Sequence, residues 1–285
     1  MDAALRRRFF AEEVEAVANV RTRALVEALA TVPREDFLPP GPWTVVSEGA
    51  LGTPRVTPDA DPARVSHCLA VAIDAGRQIF NGGPATLAQA IDALAPRSGE
   101  HVVHVGCGAG YYTALLAHCV GRSGRVTAIE VDAALAADAA RNLAGLPWVE
   151  VRQGDGRTWG TLPCDALLVN AGVTHPLDEW LGALTPAGRM VLPLTARVPG
   201  GGPFGRGPLL LVKGAAAGWE VQLVTFIAIY SAVGLRDETL SAQLADAVAR
   251  QPLPALRRLR RDTHAPSPSC WLHTPTACFS LEAAP

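Results

Sequence analysis

Lysine is almost absent from this chain. Lys213 is the only one in 285 residues, and the rest of the basic charge is arginine. The formal net charge is −2, so there is no surplus of cations to hold a polyanion, and a nucleic-acid partner is not expected. Long apolar runs are missing too. None approaches the roughly 20 residues that cross a bilayer. The first basic residues are followed by Glu12 and Glu13 rather than by a hydrophobic signal core, so no membrane partner and a cytoplasmic location are expected. Disulfide spacing is also lacking. Of the six cysteines, Cys107, Cys119 and Cys164 fall in expected core elements, and reduced thiols are the expectation. Hydrophobic residues make up 49% of the chain and charged ones 18%, which is ample material for one large domain, with or without appendages.

The informative stretch is 101–130, HVVHVGCGAGYYTALLAHCVGRSGRVTAIE. Val102, Val103 and Val105 form an apolar run that enters the turn Gly106-Cys107-Gly108-Ala109-Gly110. A helical segment follows from Tyr111 to Cys119, then a β-branched run that ends on Glu130. Glycines admit positive φ and close approach of a ligand. A helix start attracts an anionic group. An acid at the next strand end can accept both hydroxyls of a ribose. A dinucleotide loop, G-x-G-x-x-G, would need glycine where Tyr111 stands. The chain has G-x-G-x-G, the pattern of class I methyltransferases, and the expected cofactor is S-adenosyl-L-methionine. A third strand ends in Gly154-Asp155-Gly156, where an acid can accept the adenine amino group. The residues expected to hold the cofactor are His104, Gly106, Gly108, Gly110, Tyr111, Glu130, Val131, Asp155, Gly156 and Asn170.

Residues 3–30 carry helical periodicity, with Phe9, Phe10, Val14, Val17, Leu25 and Leu29 as apolar contacts. Residues 41–66 read as an irregular wrap, 75–84 as a loop, and 85–94 as a helix. Strands are expected near 102–106, 125–130, 149–152, 165–170 and 189–194, and helices near 111–120, 132–144 and 177–184. Such alternation predicts an α/β fold with a parallel sheet covered by helices on both faces. Runs at 209–213 and 219–230, joined by Gly214 to Gly218, predict a terminal antiparallel hairpin. Residues 235–250 predict a helix, and 251–285 an irregular tail. The expected division is a cap and substrate loop (1–84), a cofactor-binding core (85–234) and a C-terminal helix and tail (235–285).

Four segments carry a resemblance: Val32-Pro-Arg-Glu-Asp-Phe-Leu-Pro39, Val105 to Ala117, Val126-Thr-Ala-Ile-Glu-Val131 and Gly154-Asp-Gly156, with Pro163 to Ala171 fitting a fourth strand. Over roughly residues 5–195 the chain resembles the protein-L-isoaspartate O-methyltransferases. The resemblance implies a Rossmann-like class I methyltransferase with a mostly parallel seven-stranded sheet. It implies methylation of the α-carboxylate of an isoaspartyl residue in a protein or peptide. Two positions depart from the family. Its Thr-Ile-Ser-Gln-Pro loop appears here as Gln78-Ile-Phe-Asn-Gly-Gly-Pro84, so that Asn81 or Gly82 replaces the serine. The acid before the glycine loop is His104. These departures, with the long C-terminal extension, mark a divergent branch.

Gln78, Asn81 and Gly82 are therefore the expected substrate contacts. The Asn81 amide could donate to an acceptor carboxylate, or could only hold a turn. A carboxylate is already anionic at neutral pH and needs no general base. An alcohol or phenol acceptor would need one, and His175, after the fourth strand, is the candidate, so a small-molecule O-, N- or C-methyltransferase stays open. A non-catalytic cofactor-binding protein is the third reading. His67 reads as a surface histidine. His264, Cys270, His273 and Cys278 could supply four zinc ligands, but C-x2-H-x4-C matches no common zinc module. A packed tail without metal is expected.

Overall fold

A computed structural model describes residues 2–47, 53–158, 163–198, 200, 202–216, 218–250, 253–274 and 276–283. The chain divides into two compact units, Met1–Val102 with Cys107–Gly154, and Val103–Gly106 with Asp155–Pro285. This differs from the expected division at 84 and 234.

The first unit opens with helices α1 (Ala3–Ala18) and α2 (Arg23–Thr31). The periodicity predicted one helix through this region. The break has a local cause: Asn19 adopts a left-handed conformation, φ 51°, and Asp92 Oδ1 accepts the N–H groups of Arg21 and Thr22 at 2.9 and 2.7 Å. Phe10, Val14, Leu25 and Leu29 are buried as expected, whereas Phe9 and Val17 are exposed. A 3-10 turn, Arg34–Phe37, follows. The expected wrap and loop each contribute short strands to a small sheet. Its strands β1 (Thr44–Ser47), β2 (Arg55–Val56), β3 (Leu69–Asp74) and β4 (Ile79–Phe80) lie in the order β2-β1-β3-β4. Trp43, Val45, Val65 and Val71 form its core. Positions 48–52 of that wrap are outside the described residues.

Helix α3 (Pro84–Leu94) starts on proline, which suits a first helical turn. Strand β5 (His101–Val105) runs from the first unit into the second. Helix α4 (Tyr111–Val120) is buried at every position but His118, so it is a core helix rather than an amphipathic surface one. Strand β6 (Arg125–Glu130), helix α5 (Ala133–Asn142) and strand β7 (Val149–Gln153) complete the unit. β6 and β7 pair in parallel, with Ile129 opposite Arg152.

The second unit contains β8 (Cys164–Val169), α6 (Asp178–Ala183), β9 (Leu184–Pro193), β10 (Ala196–Arg197), β11 (Phe204–Ala215), β12 (Gly218–Tyr230), α7 (Glu238–Arg250), β13 (Arg258–Arg260), β14 (Cys270–His273) and β15 (Cys278–Ser280). β8 and β9 are parallel, and Ala166 to Val169 are all buried, as in a strand covered on both faces. β11 pairs antiparallel with β9 and with β12, which gives the expected hairpin. Position 217 of its turn lies outside the described residues. The described part of the tail is not wholly irregular, and positions 251, 252, 275, 284 and 285 lie outside the described residues. β13 joins β12, and β15 joins β13 and β14, all antiparallel, so the tail strands carry the sheet beyond the seven expected. No helix among the described residues is long and apolar enough to cross a membrane.

Losing an acceptor from two backbone donors at a helix start costs about 0.5–2 kcal/mol. Asp92→Ala is therefore expected to lower the free energy of unfolding by that amount in urea denaturation. Unchanged stability would show that the break between α1 and α2 is held elsewhere.

Candidate active site

In the first unit the turn after β5 depends on backbone conformations that side chains disfavour. Gly108 has φ 56° and Gly110 φ 97°. A Cβ at Gly110 would lie 2.9 Å from Leu143 Cδ1. Gly110 precedes α4 and no side chain caps that helix, so its positive end is open to a ligand rather than to a capping residue. Glu130 sits at the end of β6 and is 7% exposed. Its Oε2 accepts the Gly108 N–H at 2.8 Å, and its Oε1 accepts the Asp132 N–H at 3.1 Å. A carboxylate offers about four lone-pair sites, so one acceptor direction per oxygen remains for a ligand. Asp132 caps α5, with Oδ1 accepting from Ala134 and Leu135, both at 3.0 Å. Val131 is exposed between the two acids.

The loop singled out as the substrate contact packs beside this turn. Gly82, at φ 80°, accepts the Tyr112 hydroxyl at 3.1 Å through its carbonyl. Arg77 pairs with Asp74 at 2.6 Å and also with Asp132. Gln78 is exposed at the tip of the β3–β4 hairpin with φ 56°. Asn81 takes the second of the two roles considered for it, that of holding a turn. Its Oδ1 accepts from Val71 N and from Arg34 Nη2, each at 3.1 Å, which holds the turn. Its Nδ2 is buried and has no partner.

Arg34 is the residue that sequence reasoning missed. It is 2% exposed. Its guanidinium donates to the carbonyls of Val65, His67 and Leu69 at 2.9, 3.2 and 2.6 Å, besides Asn81. The rings of Phe10 and Tyr111 each lie 5.9 Å from its Cζ. Its Nε and the Tyr111 hydroxyl are buried without partners, and burial raises the Tyr111 pKa. The neighbourhood thus holds a surplus of donors around a buried cation. The signal was present in Val32-Pro-Arg34-Glu, which served only as a family marker. His67 is half-exposed beside Glu13, at 3.7 Å.

In the second unit, Gly106 has φ 78°, and a Cβ there would meet the Asn170 carbonyl oxygen at 3.1 Å. Asn170 N–H donates to Val105 O at 2.8 Å, and its Nδ2 to Gly106 O at 3.2 Å. Asn170 therefore supports the turn from below. Gly156 is required by space, since a Cβ would fall 2.3 Å from Val105 Cγ1. Its carbonyl accepts from Trp180 Nε1 at 2.8 Å. Asp155 pairs with Arg157, whose Nε lies 2.7 Å from Oδ2, and this pairing lowers the Asp155 pKa. A ligand amino group would share Asp155 with that arginine. His175 is half-buried, 3.0 Å from Thr174 Oγ1 through Nδ1. Burial lowers its pKa, offset in part by Asp237 and Asp178.

His104 lies fully buried inside β5, where burial pushes its pKa down to about 3. The native protein then binds no proton at His104 between about pH 6.5 and 3, whereas the unfolded chain does. Stability is lost as pH falls through that window, by at most about 1.4 kcal/mol per pH unit from this residue. His104→Gln should flatten the pH dependence of the unfolding free energy between pH 6.5 and 4, measured in urea. An unchanged slope would place the acid sensitivity elsewhere.

The family model for protein-L-isoaspartate(D-aspartate) O-methyltransferase (PCMT) matches residues 65–199. The chain is 36% identical over 198 residues to protein-L-isoaspartate O-methyltransferase 1 of Rhodopseudomonas palustris, covering 68% of this chain and 71% of that one. A solved protein-L-isoaspartate O-methyltransferase superposes with a TM-score of 0.65 at 21% identity, over 90% of this chain and 72% of the other. A Plasmodium falciparum structure described as a beta-aspartate methyltransferase, in complex with S-adenosyl-L-homocysteine, gives a TM-score of 0.54 at 13% identity, over 79% of this chain and 97% of that one. With the glycine turn, the strand-end acid and this degree of identity together, the chain belongs to the protein-L-isoaspartate O-methyltransferase family.

Proposed function

We propose that this protein transfers a methyl group from S-adenosylmethionine to the carboxylate of an isoaspartyl-type residue in a protein or peptide. The observation that carries the reading is the buried, unpartnered Nδ2 of Asn81 beside the buried Arg34 guanidinium. Donors in excess, with a cation among them, suit an acceptor that arrives as an anion.

The residues present fit the cofactor. Glu130 keeps acceptor capacity for ribose hydroxyls, and Gly110 leaves the start of α4 without a capping side chain. When bound, S-adenosylmethionine supplies an electrophilic methyl group on a sulfonium. The chain's own part is positioning. Arg34 holds Asn81 by its carbonyl, so that the amide nitrogen is fixed as a donor toward the acceptor oxygen. Tyr112 anchors Gly82 and keeps the loop over the first turn of α4. Proximity and orientation can supply much of the acceleration when the nucleophile is already ionised.

One observation favours a second reading. His175 is half-buried with its Nδ1 at Thr174 Oγ1, and burial lowers its pKa, an arrangement that would suit a base toward an alcohol or phenol of a small molecule. The test is incubation with labelled S-adenosylmethionine and an isoaspartyl peptide, with the matching aspartyl peptide as control. Base-labile label on the isoaspartyl peptide is expected. Base-stable label on a metabolite would establish the second reading. Binding without transfer to any acceptor would reduce the protein to a cofactor-binding role. Asn81→Ala is expected to lower the transfer rate while leaving cofactor affinity within about twofold. Equal losses would make Asn81 a cofactor ligand, and no loss would leave it a turn residue.

A further inference from the structure

The tail brings together four side chains that the methyltransferase reading does not use. One ligand atom each of His264, Cys270, His273 and Cys278 lies within 4.8 Å of all the others. We propose that these residues form a structural zinc site of the two-thiolate, two-imidazole kind.

Local structure explains why they converge. In a regular strand, residues three apart face opposite sides. β14 has a register shift between Cys270 and Leu272, and such an extra residue turns the side chains that follow it, which allows Cys270 and His273 to share one side. Cys278, at the start of β15, pairs directly with His273. The connection between them is closed by Thr274 N–H to Ala277 O at 2.8 Å and Ala277 N–H to Thr274 Oγ1 at 3.0 Å. His264 arrives from the loop after β13. Its Nε2 is 3.5 Å from Cys270 Sγ, and its ring stands edge-on to His273 with centroids 4.8 Å apart.

The surroundings match a metal site rather than a chance cluster. His264 Nδ1 lies 2.9 Å from Asp262 O and 3.3 Å from Asp262 Oδ2. Metal-bound histidines present their second nitrogen to a carbonyl or carboxylate in this way, which fixes the tautomer that frees Nε2. Asp262 is in turn held by Arg260. The Ser267 N–H donates to Cys270 Sγ at 3.4 Å, a contact that stabilises a thiolate. His273 Nδ1 is buried with no partner. Both cysteines are free thiols. In a tetrahedral zinc site the ligand atoms lie about 3.3–3.8 Å apart, so small side-chain movements close the set. Two thiolates and two imidazoles select zinc over oxygen-preferring cations. The spacing C-x2-H-x4-C hid the site, because the register shift and the cross-strand pair that make it work are not visible in a one-dimensional pattern. The site would pin β13, β14 and β15 to one another.

The full chain, produced with zinc in the medium, is expected to contain about one zinc per molecule by elemental analysis, released when a mercurial blocks the thiols. Replacing zinc with cobalt should give the visible spectrum of a tetrahedral two-thiolate centre. Cys270→Ser and Cys278→Ser should each lose the metal, while Cys68→Ser, outside the cluster, should keep it. If the serine variants do not fold, the cobalt spectrum of the unaltered protein decides. Zinc-free protein whose tail shows the same hydrogen exchange with and without added zinc would overturn the proposal. So would a Cys270–Cys278 disulfide found by mass spectrometry in protein purified under nitrogen.

Discussion

A buried carboxylate that accepts from the backbone of a glycine turn holds the cofactor half of this structure. Glu130 bonds the Gly108 N–H from one oxygen and the Asp132 N–H from the other. It thereby joins the end of β6 to the turn after β5 and to the start of α5. Gly108 and Gly110 must keep positive φ for that N–H to reach the acid. Burying a carboxylate costs free energy unless charged hydrogen bonds offset it, so Glu130 and the turn are interdependent. The same oxygens retain the capacity that ribose hydroxyls would use.

A second interdependence lies between Arg34 and Asn81. A guanidinium that is 2% exposed and satisfied mainly by carbonyls is a demanding group to bury. The 3-10 turn at Arg34–Phe37 delivers it to the small sheet, where it binds the carbonyls of three residues near β3 and the Asn81 side chain. Asn81 is oriented as a result. Where the family loop carries a serine, this chain has an amide whose oxygen is committed to structure and whose nitrogen is not. An acceptor that brings negative charge would complete the set, and that links the departure in sequence to carboxyl chemistry rather than away from it.

The βαβ core was legible because its signals are local. β5, β6, α4 and the hairpin of β11 and β12 follow from apolar runs, glycines and β-branched residues over short windows. What was hidden depends on contacts distant in sequence. The break between α1 and α2 rests on Asp92, about seventy residues away. The sheet of β1 to β4 forms from two- to six-residue strands, too short for periodicity to register. The role of Arg34 needed the fold, since its partners lie 31 to 47 residues on. The structural parts of His104, buried inside a strand, and of Asn170, a strut for Gly106, were not visible in the sequence.

The most direct test of the central claim is calorimetric titration of the protein with S-adenosyl-L-homocysteine and, separately, with NAD, repeated with Glu130→Ala shown to be folded by circular dichroism. The expected result is binding of S-adenosyl-L-homocysteine, none of NAD, and an affinity reduced about tenfold to a hundredfold in the variant, which corresponds to charged hydrogen bonds of about 1.5–3 kcal/mol. NAD binding, or an affinity for S-adenosyl-L-homocysteine that the variant leaves unchanged, would contradict the assignment of Glu130 and the glycine turn as the cofactor site.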